Sequence, residues 1–474
     1  MALDPSFEVA FAPRSIAVLG ASSKERGGGN GFIKSIKEMR YKGNMYPINP
    51  NVEEVLGYKC YPSLAAVPEV PDLVIMAVGA HRAEQALEEC IARGVRNVHM
   101  FTAGFGETGE EEGEKLAERL RAIAERGKLN IVGPNCMGIY SPRGRISPWG
   151  RLPLEVGPIA LISQSGALGG EFVRRAPTLG LRMSYAISYG NGYVLDSTDF
   201  LEYLENDPHT RFIGMYLEGV RDGRKLLELV RRISPKKPVV ILKGGLTDAG
   251  ARAAASHTGS LAGQDAIWSA FFAQSGAIRV DSLEEMVDVL QALVRLPAPT
   301  GSGVCLIGGA GGTSVAAADI CARAGLEVPT ISEDIQKELR EFIGVAGTSV
   351  RNPMDISMQM SSPQDFIRAL EILDRDPVID ITLMVLYVFP KRFGWGKGVL
   401  DLVPPLIKFA NSSRKPFCVA TKSFTDHVQT ERDRLTLTRM FTKAGVPVFK
   451  TVERAAMALH RYAEYYRSLS DRLA

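Results

Sequence analysis

The segment IALISQSGAL, residues 159–168, changes character within a few positions. Its first four residues are apolar and include two isoleucines, the pattern of a short, fully buried strand. Ser163, Gln164 and Ser165 then supply hydroxyl and amide groups. Gly166 starts a run with helical spacing through residue 176. Strand, hydroxyl-rich turn and helix N-terminus in this order build a parallel α/β sheet. The free amides at the start of such a helix form an anion site. The alternative is that Ser163 and Ser165 only cap the helix.

The same unit recurs upstream. Residues 15–19 (SIAVL) read as a buried strand, followed by Gly20-Ala21-Ser22-Ser23. Further strands are predicted at 44–48, 72–78, 98–102 and 131–133, with helices at 82–93 and 110–126 between them. Strands alternating with helices imply a parallel, doubly wound sheet, which binds ligands at the carboxyl ends of its strands. Three ends look prepared: GASSKERGGGNG (20–31), Ala103-Gly104-Phe105-Gly106, and Gly133-Pro134-Asn135-Cys136-Met137-Gly138. The first is not a G-x-G-x-x-G fingerprint. The second strand ends in Pro47-Ile48-Asn49-Pro50 rather than an acidic residue, so the nicotinamide-dinucleotide signature is absent. Glycine amides, hydroxyls, Lys24 and Arg26 instead suit a phosphate-bearing ligand, the alternative being an ordinary turn with solvated charges. Cys136 reads as a small buried cysteine more readily than as a reactive thiol.

Downstream of the opening segment, strands are predicted at 183–188, 212–217 and 238–242, and helices at 200–206 and 223–233. The first of these strands ends in Gly190-Asn191-Gly192 and the second in Glu218-Gly219. The third leads into KGGLTDAGARAAASHTGSLAG (243–263), a stretch with little side-chain bulk to anchor it. Such a loop can approach a ligand closely, or move. Its single histidine, His257, is a candidate nucleophile near neutral pH. A surface histidine in a Gly/Ala loop is the plain alternative. His257, Glu218 and the 163–166 turn all follow strands of one parallel sheet, so they can converge on one edge. A carboxylate facing imidazole fixes the tautomer and makes the other nitrogen more nucleophilic.

A third unit follows the linker PAPTGSG (297–303). Strand 304–307, the turn GGAGGT (308–313) and helix 314–324 repeat the pattern. A helix at 333–343, strands at 379–387 and 416–420, and a closing helix at 452–469 complete it. GGAGGT lacks the GK[ST] ending of a P-loop.

Length, 474 residues, is enough for about three domains. Net charge is +3 with scattered Lys and Arg, which argues against a nucleic-acid surface. The six cysteines form no C-x-x-C pair and read as free thiols in a reducing compartment. No apolar run reaches membrane-spanning length and the N-terminus has no signal-peptide pattern, pointing to a cytoplasmic protein.

With these motifs in place, the whole chain resembles the α subunit of NDP-forming (ADP-forming) acyl-CoA synthetases, relatives of succinyl-CoA synthetase. The most specific match is KGGLTDAGARAAASHTGSLAG, which is similar to the family's phosphohistidine loop. The resemblance implies an α/β fold: an N-terminal Rossmann-like CoA-binding domain (1–147), a ligase-CoA flavodoxin-like domain carrying the phosphohistidine loop (148–297), and a second flavodoxin-like domain (298–474). It implies catalytic roles for His257, phosphorylated, and Glu218, which holds it. CoA would meet Gly20, Ala21, Ser22, Ser23, Lys24, Arg26, Pro47, Asn49, Pro50, Val78, Ala103, Gly104, Phe105, Asn135, Cys136 and Met137. Phosphate and the acyl carboxylate would meet Ser163, Gln164, Ser165, Gly166, Gly190 and Asn191. Asn352-Pro353-Met354-Asp355 resembles the NPxD element of the third domain.

The resemblance further implies a separate ATP-grasp β subunit, carrying Mg2+ with ADP or ATP, in an α₂β₂ assembly; nothing in this chain reads as that module. No metal site, nucleic acid or membrane is implied. Two departures stand out. KERGGGNG replaces the usual Pro-Gly-Lys turn. Val194 stands where the family has an aspartate, and with Tyr189, Tyr193 and Trp149 nearby this implies an acid bulkier or less polar than acetate. A non-catalytic CoA-binding or assembly protein of the same fold is the alternative, and a nicotinamide-dependent dehydrogenase is disfavoured by the broken glycine fingerprint.

Overall fold

The computed structural model describes residues 5–23, 28–108, 111–247, 249–250, 252, 265–309, 311–355, 363–389 and 398–473. His257, Lys24 and Arg26 lie outside the described residues. Contacts divide the chain into two compact units, residues 1–177 with 181–283, and 178–180 with 284–474.

The first unit contains two large sheets. The first sheet has strands β1 (Ser15–Leu19), β2 (Asn44–Ile48), β5 (Leu73–Met76), β6 (Asn97–Met100) and β7 (Asn130–Val132). A small hairpin, β3 (Glu54–Val55) with β4 (Tyr58–Lys59), lies between β2 and β5 in sequence. The sheet order is β2-β1-β5-β6-β7 and every pairing is parallel. Parallel sheets are covered on both faces, so their strands are apolar throughout. All five residues of β1 are buried, as are all four of β5. β5 is shorter than the predicted 72–78 because Ala77 turns in against Gly20, where the carbonyl of Ala77 occupies the space of a side chain.

The second sheet comprises β8 (Gly138–Tyr140), β9 (Ile159–Ser163), β10 (Met183–Ser188), β11 (Phe212–Leu217), β12 (Val239–Lys243) and β13 (Ile278–Val280). Its order is β13-β12-β11-β9-β10-β8. One correction to the sequence reading arises here. The sheet is not wholly parallel, because β8 runs antiparallel to β10 at the edge. The chain leaving the first sheet pairs with the second before it begins that sheet's own winding. Helix α5 (Ser197–Asn206) starts earlier than predicted because Asp196 and Asp199 form a reciprocal capping box.

The order of β1, β2, β5, β6 and β7 is 2-1-3-4-5 when strands are counted within the sheet. The strands β9 to β13 follow the same scheme. Each winding reverses beside its first strand, between β1 and β5 and between β9 and β11. At such a switch point the connections diverge and leave a crevice.

The second unit has the parallel sheet β14 (Val304–Ile307), β15 (Ile381–Val388), β16 (Phe417–Ser423) and β17 (Val448–Phe449), in that order. Met354 bridges Ile307 in parallel on the other side of β14, so this sheet also reverses at its first strand. Helix Leu283–Arg295 packs with this unit: Gln291 exchanges hydrogen bonds of 3.2 Å with the backbone of Val448. Its Asp288, 2% exposed, pairs with Arg454 at 2.6 Å. All six cysteines are unpaired, as the sequence reading expects, and all six are buried. Among the described residues, no helix is long and apolar enough to cross a membrane.

Candidate functional site at the second switch point

The crevice between β9 and β11 is closed at its floor by side chains. The Gln164 backbone amide donates to Tyr216 O at 3.0 Å. Its side-chain Oε1 accepts from the amides of Glu218 and Gly219, at 2.7 and 3.0 Å. One buried amide group thus fastens the turn after β9 to the tip of β11. Ser165 caps helix α4 (Gly166–Arg175) through a 3.3 Å bond accepted from Leu168 N, and Ser163 Oγ donates to Ser165 O at 2.7 Å. Ser165 therefore caps the helix, while the Ser163 hydroxyl braces the turn before it.

Glu218 is 8% exposed. Its Oε1 accepts from Tyr216 Oη at 3.1 Å, and its Oε2 is buried with no partner among the described residues. A buried carboxylate oxygen without a donor is costly, so a position that keeps one is suited to a group arriving from elsewhere. The neighbouring strand β12 ends at Lys243, and the chain from there leads to His257.

Lys243 is a residue that sequence reasoning missed. It is 5% exposed, with its ammonium donating to Glu218 O at 2.9 Å and to Gly244 O, and lying 5.2 Å from the Trp268 ring centroid. Burial pushes its pKa down to about 8, against an opposing pull from Glu218. The signal available in the sequence was a lysine ending an otherwise apolar strand.

Among the described residues, the first switch point is made largely of backbone. Gly20 has φ +94°, and a Cβ there would lie 2.2 Å from Ala77 O. Asn30 holds Ser22 on both sides, Oδ1 accepting from its amide at 2.9 Å and Nδ2 donating to its carbonyl at 2.7 Å. Asn49 Nδ2 donates to Ala21 O at 2.6 Å and its Oδ1 accepts from Asn51 N at 2.8 Å. Pro47 is buried and Pro50 is exposed. Val78 O accepts from Thr102 Oγ1 at 2.9 Å. Cys136 contributes only backbone to any site. Its thiol is buried, lies near Val132 O, and is held protonated by burial. Its carbonyl meets His99 Nε2 at 3.2 Å, and burial pushes His99 down to about 4.

The two sheets meet at their carboxyl ends. Met137 N donates to Ser188 Oγ at 3.2 Å, and Asn191 N to Pro134 O at 3.1 Å. A Cβ on Gly190 would lie 2.3 Å from the carbonyls of both Pro134 and Asn135. Asn135 Nδ2 donates to Asn191 Oδ1 at 3.4 Å. Asn191 Nδ2 donates to Glu107 Oε2 at 2.5 Å, while Glu107 also accepts from Gly104 N at 2.6 Å and Phe105 N at 3.1 Å. Glu107 was likewise missed by the sequence reading. The structure therefore gathers the 103–106, 133–137, 163–166 and 190–192 turns and Glu218 in one region.

The aromatic residues near the acyl-side motif separate. Tyr189 is 2% exposed and packs 5.8 Å from Phe200 in the core. Trp149 is buried over Gly169 and Gly170, its Nε1 donating to Gly166 O at 3.1 Å. Tyr193 remains half-buried, 5.0 Å from the Arg121 guanidinium. Val194 packs against the cores of both sheets, which accounts for an apolar residue at that position. Asn352 and Asp355 belong to the second unit, where Asn352 Oδ1 accepts from Leu306 N at 2.9 Å and Asp355 Oδ2 from Gly311 N at 2.7 Å.

Comparisons with known proteins agree with this layout. Residues 14–142 match the CoA binding domain family, 156–293 the succinyl-CoA ligase like flavodoxin domain, and 304–389 the ligase-CoA domain. The chain is 34% identical over 464 residues to the ADP-forming acetate–CoA ligase II subunit alpha of Pyrococcus furiosus, covering 97% of this chain and 98% of that one. It is 38% identical over 377 residues to ADP-forming acetate–CoA ligase I of Archaeoglobus fulgidus, covering 79% of this chain but 54% of that longer protein. The solved structure of acetyl-coenzyme A synthetase 1 of Ca. Korarchaeum cryptofilum, in complex with phosphate and ADP, has a TM-score of 0.83 at 31% identity, covering 99% of each chain.

Proposed function

The chain belongs to the α subunits of ADP-forming acyl-CoA ligases, and from that premise we propose that His257 relays a phosphoryl group between an acyl phosphate and a nucleotide. The observation that carries this reading is the Gln164 bridge. It sets Glu218 rigidly at the switch point with Oε2 unpaired, one strand away from the strand that leads into the His257 segment.

CoA lies along the first switch point, over Gly20 to Ser23, with its thiol end directed to the 133–137 turn. Inorganic phosphate enters at the N-terminus of α4. One of its oxygens attacks the acyl-CoA carbonyl, the C–S bond breaks, and CoA leaves as thiolate. The acyl phosphate that forms carries its charge toward the α4 amides, which are fixed in advance and need no reorganisation. An imidazole nitrogen of His257 then attacks phosphorus and the carboxylate departs. Glu218 Oε2 accepts a hydrogen bond from the other ring nitrogen, fixing the tautomer and stabilising the cation that develops. The phosphoryl group passes from His257 to ADP; in reverse, the same steps activate an acid with ATP. Lys243 holds the β11 tip and the chain just beyond β12 by their carbonyls, those of Glu218 and Gly244.

The nucleotide and Mg2+ belong to an ATP-grasp module on a separate β subunit, in an α₂β₂ complex. The Pyrococcus furiosus relative is itself named a subunit alpha, which supports a separate chain. The acid is a carboxylic acid accommodated beside Asn191 and Tyr193, and a substrate panel from acetate to aryl acids reads its size. The decisive experiment mixes the chain and its partner with γ-labelled ATP. Acid-labile, alkali-stable label on the wild type and none on H257A is the expected result. Equal label on both would refute the relay.

A further inference from the structure

Glu218 is held by three different side chains, and each holds a different atom. Its amide donates to Gln164 Oε1 at 2.7 Å, and its carbonyl accepts from Lys243 Nζ at 2.9 Å. These two bonds fix the main chain. They do not fix the carboxylate, because the last torsion of a glutamate is broad and roughly two-fold. The third bond, accepted by Oε1 from Tyr216 Oη at 3.1 Å, acts on the carboxylate itself. Tyr216 on β11 and Glu218 just beyond its end are two residues apart, so their side chains leave the same face. No catalytic step derived above uses Tyr216. Every other residue of β11 is buried while Tyr216 is half-buried, so apolar packing alone does not call for it there. Burial and the Glu218 charge both push its hydroxyl well above the usual range, so it stays protonated and donates. A phenol has a single O–H. Given to Oε1, it leaves Oε2 buried and with no donor among the described residues. The neighbouring chain makes room for this contact. Gly244, directly after β12, donates its amide to Leu217 O at 2.9 Å. A Cβ on Gly244 would lie 2.7 Å from Tyr216 Oη and 3.2 Å from Tyr216 Cζ.

We propose that Tyr216 is a positioning residue for the phosphoryl relay: its hydroxyl sets the plane of the Glu218 carboxylate and so keeps Oε2 as the open oxygen, and the bare Cα of Gly244 leaves that hydroxyl its place. This rests on the reading of Glu218 given above as the carboxylate that meets His257. A hydroxyl that merely satisfied a buried oxygen would matter to stability and not to transfer. A hydroxyl that orients the carboxylate matters to transfer, and only while the carboxylate is present.

The test is a double-mutant cycle on the full chain with its ATP-grasp partner. Single-turnover transfer from γ-labelled ATP to the chain is read alongside steady-state kcat and KM and melting temperature. Y216F keeps the ring and removes only the oxygen. It is expected to slow labelling about tenfold, as the loss of one hydrogen bond to a charged group implies. Steady-state kcat should fall with it while KM for ATP and for CoA stays within about twofold. In E218A, whose slow labelling is followed over long incubations, adding Y216F should change the rate by less than about twofold, since no carboxylate is left to orient. Wild-type labelling by Y216F overturns the proposal. So does a tenfold loss that persists in E218A, because the hydroxyl would then act independently of Glu218. If E218A takes no label at all, E218Q replaces it in the cycle with the same expectation. G244A reaches the contact from the other strand: it should slow labelling by itself and add nothing to Y216F, which lacks the oxygen it presses on. Should Y216F not fold, G244A decides, and normal labelling there overturns the proposal. An E218A chain that labels like the wild type, or a wild-type chain that takes no label, would instead remove the underlying reading of the site.

Discussion

The two switch points of the first unit share one strand order and differ in what fills them. Among the described residues, the crevice between β1 and β5 is lined by backbone, a glycine at φ +94° held against Ala77 O, with Asn30 and Asn49 tying the turn by neutral hydrogen bonds. Between β9 and β11 it holds Glu218, with Lys243 anchored to its carbonyl. Charged groups set into a buried crevice are costly, and they are suited to steps in which charge develops and moves. On the proposed reading, the same topology serves binding at one reversal and chemistry at the other.

The largest test of that contrast is E218Q. The amide still occupies the site but loses the charge proposed to meet His257. Phosphorylation of the chain by its partner and ATP should fall roughly 10²–10⁴-fold, read by single-turnover labelling. Near wild-type labelling would make the second reversal as passive as the first. Next comes G20A, which places a Cβ 2.2 Å from Ala77 O at a left-handed φ. The conformation alone costs about 1–2 kcal/mol, and CoA binding read by calorimetry should weaken along with stability. A G20A chain that binds CoA normally would remove the close approach from the argument.

Q164A orphans two amides at once, those of Glu218 and Gly219. Urea unfolding should show a loss of about 1–3 kcal/mol, with slower labelling of His257 because Glu218 is no longer fixed. Stability lost without any change in labelling would confine Gln164 to the fold.

The smallest effect is a pH slope. Lys243 has its pKa lowered to about 8 from 10.5. Between those values the unfolded chain still holds a proton that the folded chain has released, so this site makes unfolding free energy rise with pH. Below about 8 the folded chain carries the full cost of the buried charge. Replacing the lysine in K243M should remove that contribution, leaving a flatter or more downward slope than wild type from pH 8 to 10.5 in paired denaturant titrations. Identical slopes would show that the ammonium is as well solvated folded as unfolded.

How much of this was legible in the chain depends on whether a residue's role is local. Buried parallel strands announce themselves by continuous apolar runs, and β10, β11 and β14 begin and end where the runs do. Ser165 and Asp196 sit next to the helices they cap, so chain order alone locates them. The edge strand β8 was not legible, because three residues following a turn carry no period, and its partner lies about fifty residues on. Glu107 looked like one acid of an acidic run until Asn191 came into reach across eighty-four residues.

Composition and periodicity were enough for three α/β windings, the ends of their strands and the small-residue segment with one histidine, since these follow from side-chain sterics and local hydrogen bonding. Folding was needed to make Gln164 a bridge, Lys243 a buried cation and Glu107 the joint between two sheets. Each of those roles is a hydrogen bond between distant segments, and its partner is fixed by how the sheets pack rather than by sequence neighbours.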